Sequence, residues 1–189
     1  MCPDLNHAET LRSGPAAWNV WREKNPSTIP DLAGIALKLS ESQMGPSNGG
    51  PINLKSARLQ STTLHFATLV AADLQAADMS GADLVHARLN QANLTDANLS
   101  RARLDYADLS GADLTNANLR GASLRFATLS TANLEAARLS GADLAYAQFG
   151  HANLGAANLS GARLIMRILL APTLGRPICA ARVCNTPRI

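Results

Sequence analysis

The chain has 189 residues, 17 basic and 14 acidic groups, 47% hydrophobic residues and only 4% aromatic. That length suits one domain with end pieces, and the apolar fraction argues against disorder. Residues 52–164 hold nine charges of each sign, whereas 165–189 hold Arg167, Arg176, Arg182 and Arg188 and no acid, so the pI near 9.0 comes from the tail. A general nucleic-acid binder would spread its basic residues over a whole face. No apolar run approaches a membrane span, and no basic region followed by an apolar stretch marks a secretory signal. Cys2, Cys179 and Cys184 do not make a disulfide framework. The cytoplasm is the expected compartment.

In chain order, residues 1–31 read as a leader and helical cap. Ser13-Gly14-Pro15 resembles a helix start with proline at the first position. Trp18 and Trp21 then share a helix face, and Asn25-Pro26 ends the helix. Leu32 and Leu37 are five apart and begin an irregular first coil over 32–51. The step from Leu37 to Leu54 is 17 residues, not a multiple of five, so MGPSNGGP at 44–51 reads as an inserted loop.

From residue 52 to 166 the sequence repeats every five residues. Large apolar residues stand at 23 consecutive centres from Leu54 to Leu164, with Met79 and Phe149 the exceptions to Leu. Two residues before each centre stands Ala, except at Ile52 and Thr62. A period of five scatters around a helix and alternates faces along a strand. A three-residue extended piece followed by a two-residue turn instead points every Ala and Leu inward. Outward residues settle the number of sides. Phe66, His86, Tyr106, Phe126, Tyr146 and Met166 fall in one column at spacing 20, so a coil has four sides. Nearly six coils at about 4.8 Å each make a rod roughly 27 Å long. Leu54, Leu74, Leu94, Leu114, Leu134 and Leu154 should stack as one wall of the core.

The tandem Ala-(Asp/Asn)-Leu-x-x units, such as ADLSGADLTNANLRGASL at 107–124, resemble the pentapeptide-repeat family. The resemblance implies an all-β fold, a right-handed quadrilateral β-helix with a short N-terminal helical cap. It also implies that the end cap, here the basic tail 167–189 or a partial cap, can form a homodimer contact. Some members of that family resemble a DNA duplex in shape and charge and act on DNA gyrase.

Charge by side tests that last idea. The side centred on Leu54 carries Lys55, Asp73, Asp96, Asp113 and Glu135, net −3. The next carries Arg58, Asp78, Arg101, Arg120 and Arg138, net +3, and the other two balance. Duplex DNA carries one negative charge per about 1.7 Å, so a mimic of this length would need on the order of sixteen. Four carboxylates on one side fall far short.

The Asn/Asp ladder from Asn53 through Asp73, Asn93, Asp113 and Asn133 to Asn153 should bond between coils and at corners. Asp83–Arg103, Asp143–Arg163 and Arg88–Asp108 lie one coil apart and can pair. The aromatic column has two readings: rings stacked for stability, which we favour, or an interface stripe. His7, His65, His86 and His151 have no metal spacing and no nucleophile partner. No catalytic, cofactor or metal residue is assigned. The best reading is a non-catalytic scaffold that binds a protein partner, with no membrane and no direct nucleic-acid binding. Its candidate surface is Phe66, His86, Tyr106, Phe126, Tyr146, Arg101, Arg120 and Arg138. A DNA-mimicking gyrase modulator is second and an enzyme a distant third.

Overall fold

A five-residue unit must reverse direction before the next Ala arrives, and one turn does this throughout. The amide of each Ala position donates to the carbonyl of the preceding centre, as Ala57 N to Leu54 O at 3.0 Å. The computed structural model of the chain describes residues 5–36, 50–165 and 182–183. In it the second residue after each centre has positive φ at all 22 positions from 56 to 161, between 54° and 69°. That is the third position of a type II-like turn, where only glycine is free of steric cost. Seventeen of these residues are not glycine.

Between turns, the residue before each centre bridges in parallel to the residue 20 positions on. One side runs Asn53, Asp73, Asn93, Asp113, Asn133 and Asn153. Leu54 N donates to Asp73 O at 2.7 Å and Asp73 N to Ile52 O at 2.9 Å. The expected three-residue extended piece is therefore only one bridge residue wide, because each corner takes the two residues after the centre. Among the described residues the one ladder of longer strands is β1 (Arg163–Leu164) against β2 (Arg182–Val183), in parallel register.

The inward residues make one core running the length of the rod. Leu94 and Leu114 are fully buried, one above the other through the Asn93–Asp113 bridge. The Ala positions beside them are equally covered. The two departures from Ala also fit. Ile52 is buried, and buried Thr62 satisfies its hydroxyl on Leu32 O at 3.0 Å.

At the N-terminal end, helices α1 (Leu5–Arg12) and α2 (Pro15–Lys24) lie against the first full coil. Among the described residues its first side has no preceding coil to bond to. Side chains of α2 supply the partners: Trp18 Nε1 donates to Asn53 O at 2.6 Å, and Arg22 Nη2 to Lys55 O at 3.1 Å. Asn19 donates to Pro51 O and accepts from Asn53 N, both at 3.0 Å. On the next two sides Asp31 bridges Arg58 and Ala36 bridges Thr63. These offsets are 27 residues (58 minus 31, and 63 minus 36), seven more than a coil. Leu32 thus sits over Leu59, and the phase break is a seven-residue insertion. Leu37, most of the 44–51 loop, the tail from Met166 except 182–183, and all three cysteines lie outside the described residues.

Candidate partner surface

The corner after the third side carries the aromatic column, and the turn sets its geometry. A positive φ repeated at the same turn position aims each ring outward at the same angle. The rings of Phe66, His86, Tyr106, Phe126 and Tyr146 consequently stack in sequence. Centroid distances are 5.0, 4.9, 4.9 and 4.9 Å, and interplanar angles are 1°, 16°, 5° and 12°. The spacing is the coil rise itself. The rings stay exposed, from 38% for Phe126 to 65% for Phe66. Their faces are spent on one another, so the stack presents ring edges to solvent.

Beside this corner, opposite charges pair across coils. Asp83 accepts from Arg103 Nη1 at 2.9 Å and lies 3.0 Å from His65 Nε2. Arg163 reaches Asp143 at 3.4 Å. The sequence pointed to these two Arg pairs, among three it named, but not to the His65 contact, nor to Arg58 with Asp31 at 3.7 Å, which the insertion hid. Asp108 accepts from the amide and hydroxyl of Ser110 at 3.0 and 2.6 Å.

The Asn/Asp ladder bonds as its residue types require. Asn153 donates to Asn133 at 2.9 Å, and Thr95 N donates to Asn93 Oδ1 at 3.1 Å, closing the corner. A second ladder, not anticipated, runs down the next side from Asp78 through Asn98 to Asn118, with both steps at 2.9 Å. Burial pushes the Asp78 carboxyl up, but hydrogen bonds from Gln60, Ser80 and Asn98 outweigh it and hold it below the ordinary carboxylate range. In the cap, burial lowers Arg22 from its ordinary value, opposed in part by Asp73.

On the second side the arginines behave differently. Arg101 and Arg120 line an open groove of about 530 Å³ with Ser80, Gly81, Asn98 and Ser100. The side chains of Arg101, Arg120 and Arg138 make no ion pair or hydrogen bond within the described residues. No three His, Cys, Asp or Glu side chains are grouped to hold a metal among the described residues.

The family model for pentapeptide repeats matches residues 52–96, 97–135 and 132–165, in eight copies. The chain belongs to the pentapeptide-repeat family. Members fold as right-handed quadrilateral β-helices and are generally structural or interaction proteins rather than enzymes. Among solved structures, the chain is similar to the pentapeptide-repeat protein Rfr23 of the cyanobacterium Cyanothece 51142, with 39% identity and a TM-score of 0.39. That match covers 49% of this chain and 60% of Rfr23. HetL of Nostoc sp. PCC 7120, a protein involved in regulating heterocyst differentiation, is 33% identical over 70% of this chain and 69% of its own, with a TM-score of 0.33. QnrB1, a plasmid-mediated fluoroquinolone resistance protein, is 22% identical over 73% and 76%, with a TM-score of 0.34. No curated protein matches significantly. Among the described residues no helix is long and apolar enough to cross a membrane.

Proposed function

We propose that the protein is a non-catalytic cytoplasmic scaffold whose rod binds a protein partner through the aromatic corner and the arginine side. The observation that carries the reading is the line of exposed rings. Phe66, Tyr106, Phe126 and Tyr146 are four of the six large hydrophobic residues exposed among the described residues, and all four lie on one corner. Stacking holds them in place beforehand, so a partner loses little by ordering them. Aromatic side chains and Arg are the residue types enriched at protein interfaces. The α2 cap, and a homodimer contact at the far end, belong to the same proposal.

The gyrase reading is not favoured. The two charged sides are net −3 and +3, so the repeat region presents no continuous anionic surface.

The test is affinity capture from the native cell with the wild-type rod, a Phe66→Ala/Tyr106→Ala variant and an Arg101→Gln/Arg120→Gln/Arg138→Gln variant. The expected result is one partner retained by the wild type and lost from at least one variant. Equal retention by all three would remove the proposed surface. A supercoiling assay with gyrase should show no change. Hydrolase activity abolished by changing His86 or His151 would revive the enzymatic reading.

A further inference from the structure

The arginines of the second side are placed for a particular shape of anion. Arg101, Arg120 and Arg138 occupy three successive coils, at the second position after, the first after, and the first before their centres. They descend one coil at a time, from the corner after the second side at Arg101 and Arg120 onto its flat face at Arg138. With about 4.8 Å between coils and at most about 3.3 Å of lateral offset per residue, successive backbone positions are at most about 6 and 8 Å apart. Alternate residues of an extended chain, which share one face, repeat at about 7 Å.

The neighbourhood leaves these side chains free to reach outward. Gly81 and Gly121 stand above and below Arg101 in its column, and Ser100 and Ser140 above and below Arg120. The groove between the coils is lined by hydroxyls and an amide in addition to the two guanidinium groups. Elsewhere on the rod, Arg103, Arg163 and Arg58 spend their charge on Asp83, Asp143 and Asp31. One carboxylate shares this side. Asp78 lies one coil above the first of the three arginines, held by Gln60, Ser80 and Asn98. It repels an anion at that end and so confines the favourable track to the three coils below. A broad polyanion is also disfavoured, because the adjoining side holds Asp73, Asp96, Asp113 and Glu135. A single extended strand touches the second side alone.

We infer that this diagonal of arginines binds an extended acidic segment of a partner protein, with carboxylates at every second residue. Each guanidinium takes one carboxylate as a charge-assisted pair, and the groove hydroxyl of Ser100 bonds the segment's backbone. This inference rests on the protein-binding reading but is separable from it, since the aromatic corner lies on another edge of the rod.

The experiment is fluorescence anisotropy on the full chain with labelled peptides. One peptide carries Glu at alternate positions, and a second has the same composition with its Glu residues contiguous. Inorganic phosphate and a single-stranded oligonucleotide serve as competitors. The alternating peptide should bind at least tenfold more tightly than the contiguous one, weaken with salt, and weaken at least tenfold on Arg101→Gln/Arg120→Gln. Arg103→Gln, on the third side, should leave binding unchanged. The melting curve of the Arg101→Gln/Arg120→Gln variant should match the wild type, because neither side chain makes an ion pair or hydrogen bond within the described residues. Equal binding of the two peptides, no effect of the double variant, or displacement by oligonucleotide at lower concentration than by free peptide would each overturn the inference. Loss of partner capture on the aromatic variant alone would leave the scaffold reading standing while this one failed.

Discussion

Ala76 has φ 55° and Phe126 φ 59°, the same strained conformation with different returns. An L-residue there costs roughly 1–2 kcal/mol relative to the right-handed region. Ala76 gains nothing from its exposed side chain, so Ala76→Gly should raise stability by somewhat under about 1 kcal/mol, glycine's larger unfolded entropy offsetting part of the relief. Phe126 stacks on Tyr106 and Tyr146, and aromatic pairs are worth about 0.5–1.5 kcal/mol each beyond burial. Phe126→Ala keeps the strain and loses both pairs, an expected loss of about 1–3 kcal/mol; Phe126→Gly should fall between. Urea denaturation of the three variants checks the order, and a destabilised Ala76→Gly protein would mean that the turn stores no strain. Asp78 is a second residue-scale case. Its folded pKa is lowered, so its contribution to stability is present above the unfolded value of about 3.9 and disappears as pH falls through the lower folded value. Asp78→Asn should flatten the acid limb of the melting-temperature profile below about pH 4 while leaving the rest of its shape unchanged. An identical acid limb would show that the hydrogen bonds from Gln60 and Asn98 do not favour the charged form.

At the scale of elements, side chains of α2 supply hydrogen-bond partners to the backbone of residues 51–55. An open coil leaves carbonyls such as Asn53 O with no strand above them, and Trp18 Nε1 fills that role. Trp18→Phe keeps most of the ring burial and removes the donor, so it should cost about 1–3 kcal/mol, the price of leaving a buried carbonyl unpaired. The loss should be local. Amide exchange should quicken at Asp73, whose N–H bonds Ile52 O beside the cap, and stay unchanged at Asn133, three coils away. Uniform quickening would mean that Asp73 exchanges only through global unfolding, with no separate local opening beside α2. How legible each part was follows from the same physics. The tryptophan pair was visible because helical spacing puts both rings on one face. Arg22 was not: an Arg in a charged run, WREK, reads as solvated, yet it is 9% exposed and bonds Thr28 O and Lys55 O. The phase break between Leu37 and Leu54 was visible as arithmetic, but its size of seven needed the bridges across the gap. The aromatic column was legible because a coil of 20 turns sequence spacing into vertical alignment. The positive φ beneath it was not, since Phe, Arg and Thr are poor choices for that region and carry no signal for it.

For the whole molecule, stacking makes an all-β chain behave locally. Its interlayer bonds join residues 19 or 21 apart, as Leu54 N to Asp73 O and Asp73 N to Ile52 O. Against 189 residues that separation is a relative contact order of about 0.1, within the range of helical bundles rather than of β-sandwiches. Neighbouring coils are nevertheless tightly coupled. Apart from the turn bond between Ala112 and Leu109, twelve backbone hydrogen bonds join residues 92–111 to residues 112–131, and at about 0.5–1.5 kcal/mol net each they sum to roughly 6–18 kcal/mol. A Leu-to-Ala change in a core costs about 2–5 kcal/mol, less than that coupling. Leu114→Ala, in the middle of the stack and fully buried, should therefore lower the urea midpoint without splitting the transition or changing its slope. Leu154→Ala, nearer the C-terminal end of the repeat and already 4% exposed, should cost less, because a side chain that is not fully enclosed leaves a smaller cavity behind. Equilibrium denaturation followed by circular dichroism and by tryptophan fluorescence separates the cases, since both tryptophans report from the cap end. Coincident curves for Leu114→Ala mean that the coils unfold as one unit. A cap-end curve unmoved while the dichroism signal shifts would show that coupling between coils is weaker than their hydrogen bonds imply.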